Sequence, residues 1–278
     1  LGFETPRPVE VNPSQIDKTI NAAFAEERDY LIDGLVFRIN DNKAWKQKGA
    51  TSHHPRGSLA FKRQGDTAAT TICDISVNVG RTGKLAFIAL LDPVELSGAT
   101  ISRATLHNIK FIEDGGYGVG AAIKIVRSGE VIPYIQDLLK PGKRFSTPTR
   151  CPSCASELER KGPDIFCHAS DCSSKITERL LHFLNILEVK GVSEKFVEAV
   201  VTARLVVRPA DFFILKKEDL LSLPGFQERS ASKAIRAIRE RSEIPLGTLV
   251  ASLGIPTIGR RKSAELEKKF ETLGKLKS

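Results

Sequence analysis

Residues 31–39 form a short apolar run, Leu-Ile-Asp-Gly-Leu-Val-Phe-Arg-Ile, rich in β-branched and aromatic side chains. That pattern predicts a buried strand entered through a turn at Asp33-Gly34. Before it, residues 13–30 space their apolar positions as a helix does, with Asn12 or Ser14 as the cap. After it, residues 58–62 (Ser-Leu-Ala-Phe-Lys) read as a second short strand. From about residue 68 to 139 the pattern breaks into short β segments at 70–79, 84–91, 122–126 and 130–138. Gly80-Arg-Thr-Gly83, Gly98 and Gly115-Gly116 punctuate them. Some seventy residues of short strands with glycine turns predict a small barrel of the OB type. A Pro- and Gly-containing link, residues 141–148, closes this region.

Beyond Cys172 the spacing becomes helical, at 176–187, 194–201, 217–221, 230–241, 246–253 and 260–270. Short glycine turns join these segments, and the turns recur as a unit: Val189-Lys-Gly-Val192, Leu223-Pro-Gly-Phe226, and Leu253-Gly-Ile255 leading to Ile258-Gly259. An apolar–x–Gly–apolar turn followed by a polar residue and a helix is the helix-hairpin-helix pattern. Glycine lets the backbone approach a DNA phosphate, and the free N–H groups of the next helix receive it. One match is weak, since helical turns often contain glycine; three within about eighty residues carry more weight.

Composition adds a bias. The 278 residues carry 42 Lys and Arg against 33 Asp and Glu, a formal charge of +9 and a pI near 9.3. A basic balance favours a polyanionic partner without identifying one. No apolar run approaches the roughly 18–20 residues of a membrane span, so no membrane partner is expected.

Four of the five cysteines form two close pairs, Cys151-Pro-Ser-Cys154 and Cys167 with Cys172. Each pair can point two thiolates at one ion, and the spacing is that of a tetrahedral Zn2+ site. Two disulfides are the alternative. They are disfavoured because nothing resembling a signal peptide precedes the segment and Cys73 is left without a partner. With no acid, base or histidine cluster nearby, the expected zinc is structural. His168 would strain the loop as a fifth ligand. Cys73, inside a barrel strand, is expected to be buried, and Trp45 and Phe111 read as core residues.

These parts, in this order, resemble the bacterial-type NAD-dependent DNA ligases over nearly the whole chain. The resemblance rests on Ile32-Asp-Gly-Leu-Val-Phe-Arg-Ile-Asn40, Gly49-Ala-Thr-Ser with Pro55-Arg56, Leu59-Ala-Phe-Lys62, Val79-Gly-Arg-Thr-Gly83, Leu91-Asp-Pro-Val-Glu-Leu96, Ser102-Arg-Ala-Thr-Leu-His-Asn108 and Arg127-Ser-Gly-Glu-Val-Ile-Pro133, then the cysteines and glycine turns. It implies a multidomain α+β chain. Residues 1–66 would be the end of a nucleotidyltransferase (adenylation) domain and 67–142 an OB-fold. A four-Cys zinc finger would follow at 143–178, then an all-α helix-hairpin-helix domain at 179–278, truncated at its C-terminus.

The resemblance also implies an enzyme that takes AMP from NAD, passes it to the 5′-phosphate of nicked double-stranded DNA, and seals the nick with Mg2+ or Mn2+. A cytoplasmic, nucleoid-associated monomer is expected. Lys62 matches the family lysine at the AMP phosphate, Arg38 stands where the family carries lysine, and Asp33 would hold metal or orient the ribose. A guanidinium keeps the charge at position 38 but not the geometry of an ammonium. In the barrel, Arg81, Thr82 and Arg127 occupy positions that meet the DNA backbone. Arg103 is a further contact whose competing reading is a surface ion pair. Gly191, Gly225 and Gly259 would mark the phosphate-binding turns, although Ser193 and Gln227 stand where a second glycine is usual. Gly57 and Arg63-Gln64 also depart from the family pattern.

The family's nucleophile is the lysine of Lys-x-Asp-Gly. The two Asp-Gly pairs here, Asp33-Gly34 and Asp114-Gly115, are preceded two residues earlier by Leu31 and Ile112. This stretch is therefore expected not to adenylate itself. A non-catalytic DNA clamp with the same modules is the competing reading.

Overall fold

A computed structural model describes residues 8–26, 32, 34–51, 54–62, 66–96, 98–127 and 133–277, with the backbone alone for residues 127 and 277. Asp33 lies outside the described residues. Contacts divide the chain into two compact units. One comprises Leu1–Thr70, Leu91–Ala104 and Ile123–Asp137; the other comprises Thr71–Leu90, Thr105–Ala122 and Leu138–Ser278. Strands of the barrel contribute to both.

In the first unit, a helical turn at Pro13–Gln15 leads into α1 (Ile16–Ala25). Strands β1 (Gly34–Arg38) and β2 (Ser58–Lys62) pair antiparallel, with Gly34 opposite Lys62 and Arg38 opposite Ser58. The short helix α2 (Asn42–Gln47) lies between them, capped by Asp41, which accepts from the amides of Lys43 and Ala44. The expected buried strand is not buried. No residue of β1 is fully covered, and Val36 and Leu59 are 73% and 71% exposed. Its apolar composition was read correctly as a strand but not as core, because a two-stranded sheet covers neither of its own faces.

Strands β3 (Asp66–Val79), β4 (Leu85–Leu96), β5 (Ala99–Thr105), β6 (Ala122–Arg127) and β7 (Tyr134–Lys140) close a barrel in the order β3-β4-β5-β7-β6. This is the five-stranded OB architecture expected from the glycine-punctuated alternation. Helix α3 (Ile109–Gly115) connects β5 to β6. Period-two burial is clearest in β4, where Leu85, Phe87, Ala89 and Leu91 point inward.

The same period corrects the reading of Cys73. Thr70 and Ile72 face the interior, so Thr71 and Cys73 face solvent, and Cys73 is exposed. Trp45 and Phe111 are each half-buried. The Trp45 ring fills the space beside Gly57, where an added Cβ would lie 2.5 Å from Cδ1, and its Nε1 donates to Ser58 Oγ at 3.0 Å. A side chain at position 57 is therefore excluded by the tryptophan.

In the second unit, β8 (Leu158–Lys161) and β9 (Asp164–Cys167) form a hairpin. Helices α4 (Ser173–Ile186), α5 (Glu194–Thr202), α6 (Asp211–Ile214), α7 (Lys217–Leu221), α8 (Glu228–Arg239), α9 (Leu246–Ser252), α10 (Arg260–Phe270) and α11 (Leu273–Lys277) follow. Leu180, Phe183, Val197, Val200, Phe212, Leu220 and Ile238 form the centre of one apolar core among α4–α8. Among the described residues, no helix is long and apolar enough to cross a membrane.

With Cys73 outward and the other four cysteines clustered, a native-state titration with a chromogenic thiol reagent should find one fast-reacting thiol. The Cys73→Ser chain should lose that phase. A fast phase that persists in Cys73→Ser would mean the cluster itself is accessible.

Candidate metal centre and nucleic-acid interface

The four thiols come from three different pieces of backbone. Cys151 and Cys154 flank a tight turn closed by Ala155 N–H donating to Cys151 O at 2.9 Å, with Ala155 at φ +58. Cys167 ends β9, and Cys172 is the residue before α4. Ser153 Oγ accepts from the Ser174 amide at 3.2 Å, which ties the first turn to the start of α4.

All four sulfur atoms lie within 4.8 Å of one another. Cys151 Sγ is 3.9 Å from Cys172 Sγ, and Cys154 Sγ is 3.6 Å from Cys167 Sγ. A disulfide needs roughly 2.05 Å. A tetrahedron of thiolates about 2.3 Å from a central ion has edges of about 3.8 Å, so the donor set and spacing fit a four-coordinate cation. Burial pushes the Cys167 thiol up to about 12 and raises that of Cys151. A hydrogen bond with the Ser156 hydroxyl holds Cys154 down at about 6. Buried thiolates lack a counter-charge among themselves, and a divalent cation would supply it. His168 turns away, its Nε2 2.8 Å from Glu159 Oε2, so it is not a fifth ligand.

The β8–β9 hairpin is fastened to barrel residues of the same unit. Cys167 N–H donates to Gly83 O at 2.8 Å, and Lys84 bridges to Phe166. Gly83 has φ +85, and a Cβ there would lie 2.2 Å from Cys167 O, so only glycine allows this approach. Lys84 Nζ pairs with Asp164 Oδ1 at 2.8 Å. Arg160 grips Glu113 of α3 through two nitrogens, at 3.1 and 2.8 Å. With Thr147 also donating to Glu113, its carboxyl is held below the usual range, mainly by the Arg160 hydrogen bond.

The three glycine turns are not equivalent. Gly191 and Gly225 sit in the left-handed region at φ +82 and +85, each two residues before the N-cap of its helix, Ser193 for α5 and Gln227 for α8. In the third turn the N-cap is Gly259 itself, in extended conformation at φ −91, and the left-handed residue is Thr257 at φ +67. Gly259 is thus the structural counterpart of Ser193 and Gln227, not of Gly191 and Gly225. Its alignment with the other two glycines is corrected accordingly. The first two turns keep the first glycine of the pattern, and the third keeps the second.

Charge and capping follow the same division. Ser193 Oγ accepts from the Phe196 amide at 3.3 Å, and α5 opens with Glu194. Ser230 Oγ accepts from the Gln227 amide at 3.0 Å, and α8 opens with Glu228, paired with Lys217. Helix α10 has no side chain at its N-cap and no acid in its first turn. It opens with Arg260, Arg261 and Lys262, all exposed.

A family model for the NAD-dependent DNA ligase OB-fold domain matches residues 69–146. The DNA ligase of Natronomonas pharaonis is 38% identical over 263 residues, covering 90% of this chain and 38% of that protein. That of Haloarcula marismortui is 38% identical over 252 residues, with 89% and 36% covered. That of Finegoldia magna is 34% identical over 272 residues, with 95% and 41% covered. The chain belongs to the NAD-dependent DNA ligase family. It spans about two fifths of the length of these relatives.

Within this ligase-family chain, Arg38 and Lys62 share one face of the β1–β2 sheet, since their register partners Ser58 and Gly34 lie directly opposite them. They stand at opposite ends, about 13 Å apart at the usual rise per residue. Arg38 lies 4.7 Å above the Trp45 ring and donates to Asn42 Oδ1. Thr82 and Arg103 are exposed, and Arg103 makes no ion pair among the described residues. The Arg127 side chain lies outside the described set. Arg81 does not point freely outward, since its Nη1 donates to Gly254 O at 2.8 Å.

Sequence reasoning missed Thr257 and Lys233, and placed Gly254 in the third turn without its contact to Arg81. The Lys233 ammonium lies 3.6 Å from where Gly191 would carry a Cβ. The second glycine of the pattern was the signal available for Thr257, whereas the other two rest on contacts between distant segments.

A β-branched residue at positive φ is strained by roughly 1–2 kcal/mol, partly offset by the greater unfolded-state freedom of glycine. Thr257→Gly should therefore raise chain stability by about 0.5–1 kcal/mol. Urea denaturation checks this, and a lower midpoint would mean the threonine side chain has a compensating role.

Proposed function

We propose that this chain is the duplex-holding part of an NAD-dependent DNA ligase, and that it grips the phosphates of nicked double-stranded DNA without reading bases. The observation that carries this reading is the start of α10. Three cations crowd a helix terminus that is already positive, with no capping side chain and no acid in the first turn. Such a terminus suits a phosphate. The turns at Gly191 and Gly225, whose following helices open with a glutamate, would contact the backbone more weakly. Arg81, Thr82, Arg103 and Arg127 would extend the contact along the barrel.

In the parent protein, NAD would supply the adenylyl group, and Mg2+ or Mn2+ the charge neutralisation at phosphorus. Lys62 would stabilise the negative charge on the nucleotide phosphate. Arg38 would reach it only after leaving Trp45, and Asp33 would orient metal or ribose. With no Lys-x-Asp-Gly lysine in the sequence, this stretch would bind a nick rather than activate one. That observation also supports the second reading, a DNA clamp acting as a monomer wherever DNA is found.

Zn2+ is the proposed occupant of Cys151, Cys154, Cys167 and Cys172. Four thiolates leave no open position for water, so its role is structural. Protein purified without added metal should contain about one zinc per chain, and stripping it with a chelator should lower the melting temperature by at least roughly 5 °C. An unchanged melting temperature after stripping would remove the zinc assignment.

DNA affinity should fall steeply with salt and be similar for duplexes of different sequence. Replacing Arg260, Arg261 and Lys262 together by alanine should flatten the slope of log affinity against log salt by about two to three units. Lys195→Ala, on α5, should change it little. Fluorescence anisotropy on nicked duplexes at several salt concentrations decides, and an unchanged slope in the triple variant would count against this interface.

A further inference from the structure

We infer that Arg81 is a latch, holding the third glycine turn in the free chain and leaving it for a DNA phosphate when duplex binds. The inference rests on the function proposed above. Its physical basis is a contact between residues 173 positions apart: Arg81 Nη1 donates to Gly254 O at 2.8 Å. Gly254 is shaped for that contact. It sits at φ +63, and a Cβ there would lie 2.5 Å from Arg81 Nη1 and 3.0 Å from His182 Cδ2. His182 holds the carbonyl that accepts the Gly254 amide, its Nε2 3.2 Å from Ala251 O.

The turn so held, residues 253–259, leads directly into the uncapped, cationic start of α10. Arg81 belongs to the Gly80–Lys84 turn, whose next residue, Thr82, is exposed. A carbonyl is a neutral acceptor, while a phosphate oxygen is charged and makes a charge-assisted bond about twice as strong. A duplex reaching α10 and Thr82 therefore competes for the Arg81 guanidinium. Winning it releases Gly254 and lets the third turn settle on the backbone it contacts. Arg81 thus acts twice, as a positioning residue in the free chain and as a phosphate ligand in the complex.

Amide hydrogen exchange on the free chain and on its complex with a nicked duplex tests this. The Gly254 amide, bonded to Ala251 O at 3.1 Å, and the Ile258 amide, bonded to Ile255 O at 3.1 Å, are the reporters. Binding should speed exchange at Gly254 about tenfold as the latch opens, while the first turn of α10 becomes slower. In Arg81→Ala, Gly254 should exchange at the fast rate with or without DNA, and the salt slope should fall by about one unit. Arg81→Lys should keep the salt slope while still loosening Gly254, because an ammonium keeps the charge without the fork of the guanidinium.

If wild-type binds duplex and Gly254 exchanges equally slowly in both states, the latch is wrong and the DNA-binding reading survives. Fast Gly254 exchange in the free wild-type chain overturns the latch as well. If wild-type binds no duplex at any salt, both fall together.

Discussion

The turn from Gly80 to Lys84 is the constraint at which three described parts of the second unit meet. Within five residues, Arg81 reaches Gly254, Gly83 admits the carbonyl of Cys167, and Lys84 pairs with Asp164. The Gly83 contact is the least negotiable. Its φ of +85 and the 2.2 Å approach of a hypothetical Cβ to Cys167 O exclude every other residue at that point. A side chain there would push β9 off the barrel residues and lose the Cys167–Gly83 backbone hydrogen bond with it. The two flanking contacts are made by long side chains that can rearrange. The glycine cannot.

That contact is only as firm as the hairpin it meets. Strands β8 and β9 have four residues each, and a hairpin of that size is marginal alone in water. What organises it is the thiol cluster, because Cys167 at its end, the Cys151–Cys154 turn and Cys172 at the head of α4 would share one ion. Metal binding free energy becomes folding free energy in such modules. A physical chain therefore runs from the cluster to β9, to Gly83, to Arg81 and on to the third glycine turn. The Arg160–Glu113 pair adds a second attachment, but both side chains are substantially exposed, so its contribution is small.

Sequence periodicity located most of the barrel strands and all but two of the helices after the cysteines. It failed where the local pattern was weak. Strand β5 was missed because Thr100, Ser102 and Arg103 interrupt its apolar positions, Ile101 and Ala104. Strand β4 was cut short because Asp92-Pro93 reads as a turn, although the strand continues to Leu96. The cysteine cluster was legible because ligand spacing is a local property. The exposure of Cys73 was also local, and strict alternation from Ile72 would have found it. The Arg81–Gly254 and Gly83–Cys167 contacts were not legible, since nothing local ties residues so far apart.

The third glycine turn shows most clearly how local rules and function separate. The first two turns follow local rules, with glycine in the left-handed position and a glutamate in the first turn of the helix that follows. The third breaks both. Thr257 takes a conformation that disfavours β-branched residues, and cations occupy the helix end where each costs about 0.3–1 kcal/mol. Part of that cost is offset by the i,i+4 pair of Arg261 with Glu265 at 3.3 Å. Close packing of α9 on α10 holds the strained geometry. Ser263 is fully buried, and a Cβ on Gly247 would come within 3.1 Å of its carbonyl. Two local rules are thus broken at one helix start, which close packing holds in place, and such departures are expected where function rather than local propensity sets the sequence. Under the function proposed above, an anion near the α10 start would offset that charge, since a helix N-terminus carries partial positive charge and free amides.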